Sequence, residues 1–162
     1  MSVETMVSLP SDVEMIEIVT QVWASFLDDE LLPVFADAAG STGNRLVAWV
    51  SISGEWTGHL QVTTTPGGAR DITAGMFQLE AAEVETGEVA DAIGEIANMI
   101  GGTVKGMVGA SAALSLPQVV LDASALISPD AHEVVQVRFQ WRGEPIEVSL
   151  WERRDSNGGG QR

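Results

Sequence analysis

The segment from Thr86 to Met107, TGEVADAIGEIANMIGGTVKGM, constrains the fold more than any other stretch of the chain. Val89, Ile93, Ile96, Ile100, Val104 and Met107 recur at spacings of three and four, which predicts a helix with one apolar stripe against a core. The opposite side carries Glu88, Asp91, Glu95, Asn98, Gly102 and Lys105 at the same spacings. At roughly 100° of turn per residue, this second set falls within an arc of about 100°. Glu95 and Asn98, three residues apart, therefore project side by side from the face turned away from the core.

The remaining chain supplies what that helix packs on. Ser11 with Glu14 three residues later predicts a capping box, and Ile16, Val19, Val22 (with Trp23) and Phe26 continue a helix to about Asp29. Leu31–Pro33 ends it, and Gly40–Asn44 reads as a loop. LVAWVSIS and WTGHLQVTTT alternate about a turn at Gly54–Glu55, the pattern of a β-hairpin. Ala69–Leu79 predicts a short helix, Glu80–Glu88 an acidic connector, Leu116–Leu121 a strand and Ala123–Ala131 a loop. VVQVRFQW and IEVSLWE, joined by Arg142–Pro145, predict a second hairpin. The expected class is α/β in the loose sense (α+β): a largely antiparallel sheet of about five to six strands, with two long helices and one short helix on one face. One domain is expected over residues 11–152, between a flexible N-terminal arm (1–10) and a flexible C-terminal tail (153–162). The order also hints at an internal pseudo-two-fold repeat. Sliding VEMIEIVTQVWASF over VADAIGEIANMIGG sets Val19 and Val22 opposite Glu95 and Asn98, so the first copy lacks the polar pair.

Composition narrows the function. With eight Lys and Arg in 162 residues and a formal net charge of −15, neither nucleic acid nor an anionic membrane surface is an expected partner. The absence of Cys excludes disulfides, thiolate nucleophiles and thiolate metal sites. MSVETMVSLPSDVEM has no basic stretch followed by an apolar run, and Gly106–Leu121 is too short to span a bilayer, so the expected location is cytoplasmic.

Few residues carry chemistry. His59 and His132 lie in different elements with no carboxylate at ligand spacing, so no metal site is expected. Ser111 in GASAA lacks the second Gly of a nucleophile turn. GGTVKG fails the phosphate-loop pattern at Gly106. Trp49, Trp56, Trp141 and Trp151 read as sheet packing. A bare Glu-x-x-Asn is commonplace on solvated helices. Here, however, Asn is a poor mid-helix former, and Gly101–Gly102 directly follow it, each costing about 1 kcal/mol relative to Ala. Small residues beside a polar pair allow another backbone to approach. Asp91, Gly101, Gly102 and Lys105 are therefore candidate partner-docking residues around Glu95 and Asn98.

The run Ala92-Ile93-Gly94-Glu95-Ile96-Ala97-Asn98-Met99-Ile100, with Gly102 and Lys105, resembles the signature helix of the CheC/CheX/FliY phosphatases of bacterial chemotaxis, and its single pair resembles the CheX branch. WVSISGEWTGHLQVTT, ITAGMF and LSLPQVVL are similar to the family's first hairpin, middle helix and Pro-containing strand. The resemblance implies a phosphatase for the aspartyl-phosphate of a CheY-type response regulator. Asn98 would orient the attacking water, and Glu95 would pair with the regulator's active-site lysine. It implies no cofactor on this chain, Mg²⁺ in the regulator, one active site per chain, and a homodimer through sheet edges, with VVQVRFQW as an unblocked strand. The alternative is a non-catalytic adaptor that binds a response regulator or a flagellar switch component through the same helix. A third possibility is a solvated, idle surface.

Overall fold

The computed structural model describes residues 7–35, 43–123 and 130–154. Its elements run α1 (Asp12–Leu27), β1 (Leu32–Val34), β2 (Arg45–Ser53), β3 (Gly58–Thr64), α2 (Pro66–Phe77), a 3₁₀ turn (Ala81–Glu83), α3 (Thr86–Val108), β4 (Ala113–Leu114), β5 (Gln118–Ala123), β6 (Ala131–Trp141) and β7 (Glu144–Arg153). Seven strands form one antiparallel sheet in the order β1-β6-β7-β3-β2-β4, with β5 also pairing β2. The two strands that the sequence pattern did not outline are β4 and β1. A three-residue strand holding Pro33 leaves no alternation to read, and Pro is tolerated there because β1 is an edge.

Period-2 alternation decides which face is covered. Leu46, Ala48, Val50, Ile52, Leu60, Val62, Val137, Phe139, Ile146, Val148 and Leu150 share one side and form one cluster with the helices. All three helices lie on that side. The opposite face carries His59, Gln61, Ser149 and Trp151 at registers His59↔Trp151 and Gln61↔Ser149.

Local chemistry sets the helix starts. Ser11 caps α1: its Oγ accepts from Glu14 N–H at 3.2 Å, and Glu14 Oε1 accepts from Ser11 N–H at 3.1 Å. Helix α2 begins at Pro66, three residues before the sequence expectation. Thr65 Oγ1 accepts from Gly68 N–H at 3.0 Å, and a proline loses nothing at the first helical position.

Several expectations change at the margins. Residues 7–10 belong to the domain, because Val7 and Leu9 pack against the core and Pro10 is buried. At the other end Arg153 closes β7, and Arg154 N–H donates to the Asp130 carbonyl at 2.8 Å. The remainder of the predicted arm and tail, residues 40–42 of the first predicted loop, and 124–129 of the second lie outside the described residues. VVQVRFQW is half blocked: β1 covers Arg138, Phe139 and Gln140, and residues 131–137 have no strand on that edge among the described residues.

The pseudo-two-fold repeat is present in the strand order. Reading outward from the central β3–β7 pair, β2 answers β6, and β4 with β5 answers β1. Each first strand pairs with the other half's hairpin. Helix α1 lies on β6 as α3 lies on β2. The helix register differs from the sequence expectation by two residues. Val19 and Val22 are buried, so they do not occupy the places of Glu95 and Asn98. The buried faces coincide when Met15 matches Ile93, Ile18 matches Ile96, Val19 matches Ala97 and Val22 matches Ile100.

Candidate functional site

Helix α3 is aimed by its apolar stripe. Ile93, Ile96, Ile100 and Val104 have no solvent exposure, and Val89 and Met107 at the ends are partly buried. Burying side chains of this size is worth roughly 1.5–3 kcal/mol each, so the helix cannot rotate without losing several such contacts. Its start is tied by Glu85 N–H, which donates to Glu88 Oε1 at 2.9 Å.

The polar stripe faces outward as expected. Asp91 and Glu95 are exposed; Asn98, Gly102 and Lys105 are half-buried. Neither the Glu95 nor the Asn98 side chain forms a hydrogen bond or ion pair among the described residues. A carboxylate and an amide on adjacent positions, with their polar atoms unspent, are available to a second molecule. Gly102 has nothing within 4 Å of where a Cβ would stand, so the surface beside the pair is open.

Gly101 is different, and its expected docking role is overturned. It is buried, and a Cβ built on it would lie 2.4 Å from Val50 Cγ2 and 3.3 Å from Leu114 Cδ1. Its lack of a side chain brings α3 close to the sheet, not to a partner. Gly94 has a related role: its built Cβ would touch Pro117 at 3.4 Å. Leu114 of β4 therefore packs at Gly101 and Pro117, in the β4–β5 connection, at Gly94, about one turn either side of Asn98. Asn98 is half-buried, while Glu95, about 60° further round the helix, is exposed.

The same connection displays a residue that sequence reasoning did not single out. Leu116 is 85% exposed, next to a serine that is tied to β2. Ser115 N–H donates to the Ser51 carbonyl at 2.9 Å, and Ser51 N–H donates to Ser115 Oγ at 2.8 Å. Only the pairing of β4, too short to carry a pattern, sets where this connection runs.

The histidines are apart from this face and from each other. His59 stacks on Trp151 with ring centroids 6.0 Å apart and planes 4° from parallel. Burial pushes its pKa below the ordinary histidine value, and a hydrogen bond with Gln61 opposes that shift. His132 lies 3.5 Å from Glu152. Among the described residues no group of three or more His, Asp or Glu converges as a metal site, and no helix is long and apolar enough to cross a membrane.

The family model described as "Chemotaxis phosphatase CheX" matches residues 46–140, which include the whole of α3. No curated protein matches in sequence. Among solved structures, the CheX of Borrelia burgdorferi, in a complex with CheY, BeF3 and Mg²⁺, superposes with a TM-score of 0.74 at 15% identity, covering 91% of this chain and 100% of that one. The CheX of Vibrio vulnificus gives 0.67 at 20% identity, covering 84% and 91%. A CheC-like superfamily protein from a Shewanella species gives 0.69 at 18% identity, covering 86% and 94%. At these identities the structural likeness speaks for the fold.

Proposed function

This chain belongs to the chemotaxis phosphatase CheX family, and from that premise we propose that it accelerates hydrolysis of the aspartyl-phosphate of a CheY-type response regulator. The observation that carries the reading is the unpartnered, outward pair Glu95 and Asn98 on a helix that the core holds in one rotation. That the Borrelia relative is found with CheY supports the choice of partner.

The chemistry asks little of the phosphatase. An acyl phosphate is already activated, so holding a water in line with phosphorus supplies much of the attainable acceleration. The Asn98 amide can donate to and accept from that water, fixing both its place and its orientation. The water oxygen bonds to phosphorus as the bond from phosphorus to the aspartyl oxygen breaks. Orthophosphate leaves carrying the water's oxygen and both of its protons, and the regulator's carboxylate is freed. Glu95 supplies a negative charge for the regulator's active-site lysine, anchoring the two proteins. The regulator's own carboxylates would hold Mg²⁺, which would neutralise charge on the phosphoryl oxygens. Asp91, Gly102 and Lys105 form the surface around the pair.

Turnover separates a phosphatase from an adaptor. Added at one-tenth of the regulator's concentration, the protein is expected to shorten the phosphoryl lifetime of the entire regulator population. If the lifetime changes only for a stoichiometric fraction, or lengthens, the helix binds without hydrolysing.

The same reading includes a homodimer through sheet edges. The open length of β6, residues 131–137, beside the short strand β1 is the edge we assign to it. Sedimentation equilibrium at micromolar concentration should give twice the chain mass of 17.1 kDa. A monomer throughout that range removes the assignment.

A further inference from the structure

We propose that Leu116 is an apolar anchor for the same regulator, seating on an apolar patch at the rim of the regulator's phosphorylated pocket while Glu95 and Asn98 enter it. The proposal rests on the phosphatase reading above and adds a residue outside α3 to its docking surface.

Chain geometry brings Leu116 level with the pair. Gly94 and Gly101 are seven residues apart on α3, about 10.5 Å along its axis and within roughly 20° of one line. Pro117 packs at Gly94 and Leu114 at Gly101. Three steps of extended chain, from Leu114 to Pro117, span about 10 Å. The connection therefore runs alongside α3 between those two contacts, in the opposite direction. Leu116 comes level with the turn that holds Glu95 and Asn98. Asn98 projects about 40° from the Gly94 line and Glu95 about 100°, so Asn98 is the nearer of the two.

The Leu116 backbone is fixed while its side chain is free of the core. Ser115 N–H donates to the Ser51 carbonyl at 2.9 Å. The Ser115 hydroxyl accepts from Ser51 N–H at 2.8 Å and donates to the Leu116 carbonyl at 3.0 Å. Pro117 has its own φ locked and confines the residue before it to extended conformations. Leu116 nevertheless leaves 85% of its surface in water, so folding gains little from it. A side chain presented on an already ordered backbone costs less to immobilise when a partner covers it.

Charge explains what an apolar contact adds. The outer stripe of α3 carries Glu88, Asp91 and Glu95 against Lys105, in a chain of net charge −15. The regulator's pocket, with its carboxylates and phosphoryl group, is anionic as well, which opposes the attraction between Glu95 and the regulator's lysine. Burial of apolar surface is indifferent to sign. The same charge disfavours a second copy of this chain as the occupant, because one acidic stripe would face another.

Binding of a CheY-type regulator from the same cell, loaded with beryllofluoride and Mg²⁺ and read by fluorescence anisotropy, tests the anchor. Leu116→Ser should weaken binding and raise KM about ten-fold, while kcat at saturation stays within about two-fold of wild type. Leu116→Met, which keeps an apolar contact, should restore binding. The loss in Leu116→Ser should persist at high salt, where the loss in Glu95→Ala fades. Tm and kcat falling together in Leu116→Ser would indicate a structural role and overturn the proposal. Unchanged affinity in Leu116→Ser, with Glu95→Arg still abolishing binding, removes the anchor and leaves the α3 site standing. A change in the mass of the free protein on Leu116→Ser, by sedimentation equilibrium, assigns the side chain to a contact between copies and also overturns it. If the wild type binds no such regulator, both readings fall.

Discussion

Replacing Asn98 by Ala is expected to lower kcat for regulator dephosphorylation by about 100-fold or more, the scale of losing a positioned group in a proton-transfer or water-attack step. The folded domain should scarcely notice. Asn98 is half-buried with no hydrogen-bond partner, so the change stays within about 0.5 kcal/mol, or roughly 2 °C in Tm for a chain of this size. Glu95→Ala should act on a different constant. Glu95 contributes charge for docking, so KM rises more than kcat falls, and the rise is largest at low ionic strength, where a surface charge pair is least screened. Single-turnover kinetics with phosphorylated regulator distinguish the two. An Asn98→Ala protein with undiminished kcat would remove the water-orienting role and leave only binding.

The second large effect separates two adjacent glycines that look alike in the sequence. Gly101→Val should cost about 3 kcal/mol, the upper part of the range for overpacking a tight interface, and lower Tm by roughly 6–12 °C. Its first added carbon would already lie 2.4 Å from Val50 Cγ2, and a methyl on a β-branched residue within the sheet has nowhere to go. Gly102→Ala should move stability the other way. Nothing stands within 4 Å of its built Cβ, and Ala is the better helix former by about 1 kcal/mol. The same methyl sits beside the Glu95–Asn98 face, so regulator binding should weaken while Tm rises. Thermal unfolding of both variants, with a regulator-binding isotherm for Gly102→Ala, decides the matter. Equal effects on Tm would mean that α3 does not approach β2 as closely as Val50 and Gly101 indicate.

That pair of glycines also shows where sequence reading stopped. Spacing located both in α3, and composition marked them as costly, but neither signal distinguishes a gap left for the sheet from one left for a partner. The difference is a rotation of about 100° about the helix axis, resolved by which atoms lie opposite. The α1 register is a similar case. Apolar residues at Ile16, Val19, Val22 and Phe26 outline a stripe, and two amphipathic helices slide into agreement at more than one offset. Burial of Met15, Ile18 and Trp23 selected the offset, because only that rotation seats all three on the sheet. The short strands β1 and β4 were beyond periodicity altogether. A strand of two or three residues is defined by its partner's hydrogen bonds, which are non-local.

The sequence by itself determined the long helix, its buried stripe, the outward Glu95–Asn98 pair, both hairpins and the Ser11 cap. Each of these depends on residues within a turn or two of one another, and helical and strand periodicities are local properties of the backbone. Only the tertiary structure decided that Gly101 faces Val50, that Val7 and Leu9 pack against the core and that Met15, Ile18, Val19 and Val22 answer Ile93, Ile96, Ala97 and Ile100. Those statements concern which distant surfaces meet, and close packing of one sheet face, not any local pattern, selects among the rotations and registers that the sequence allows.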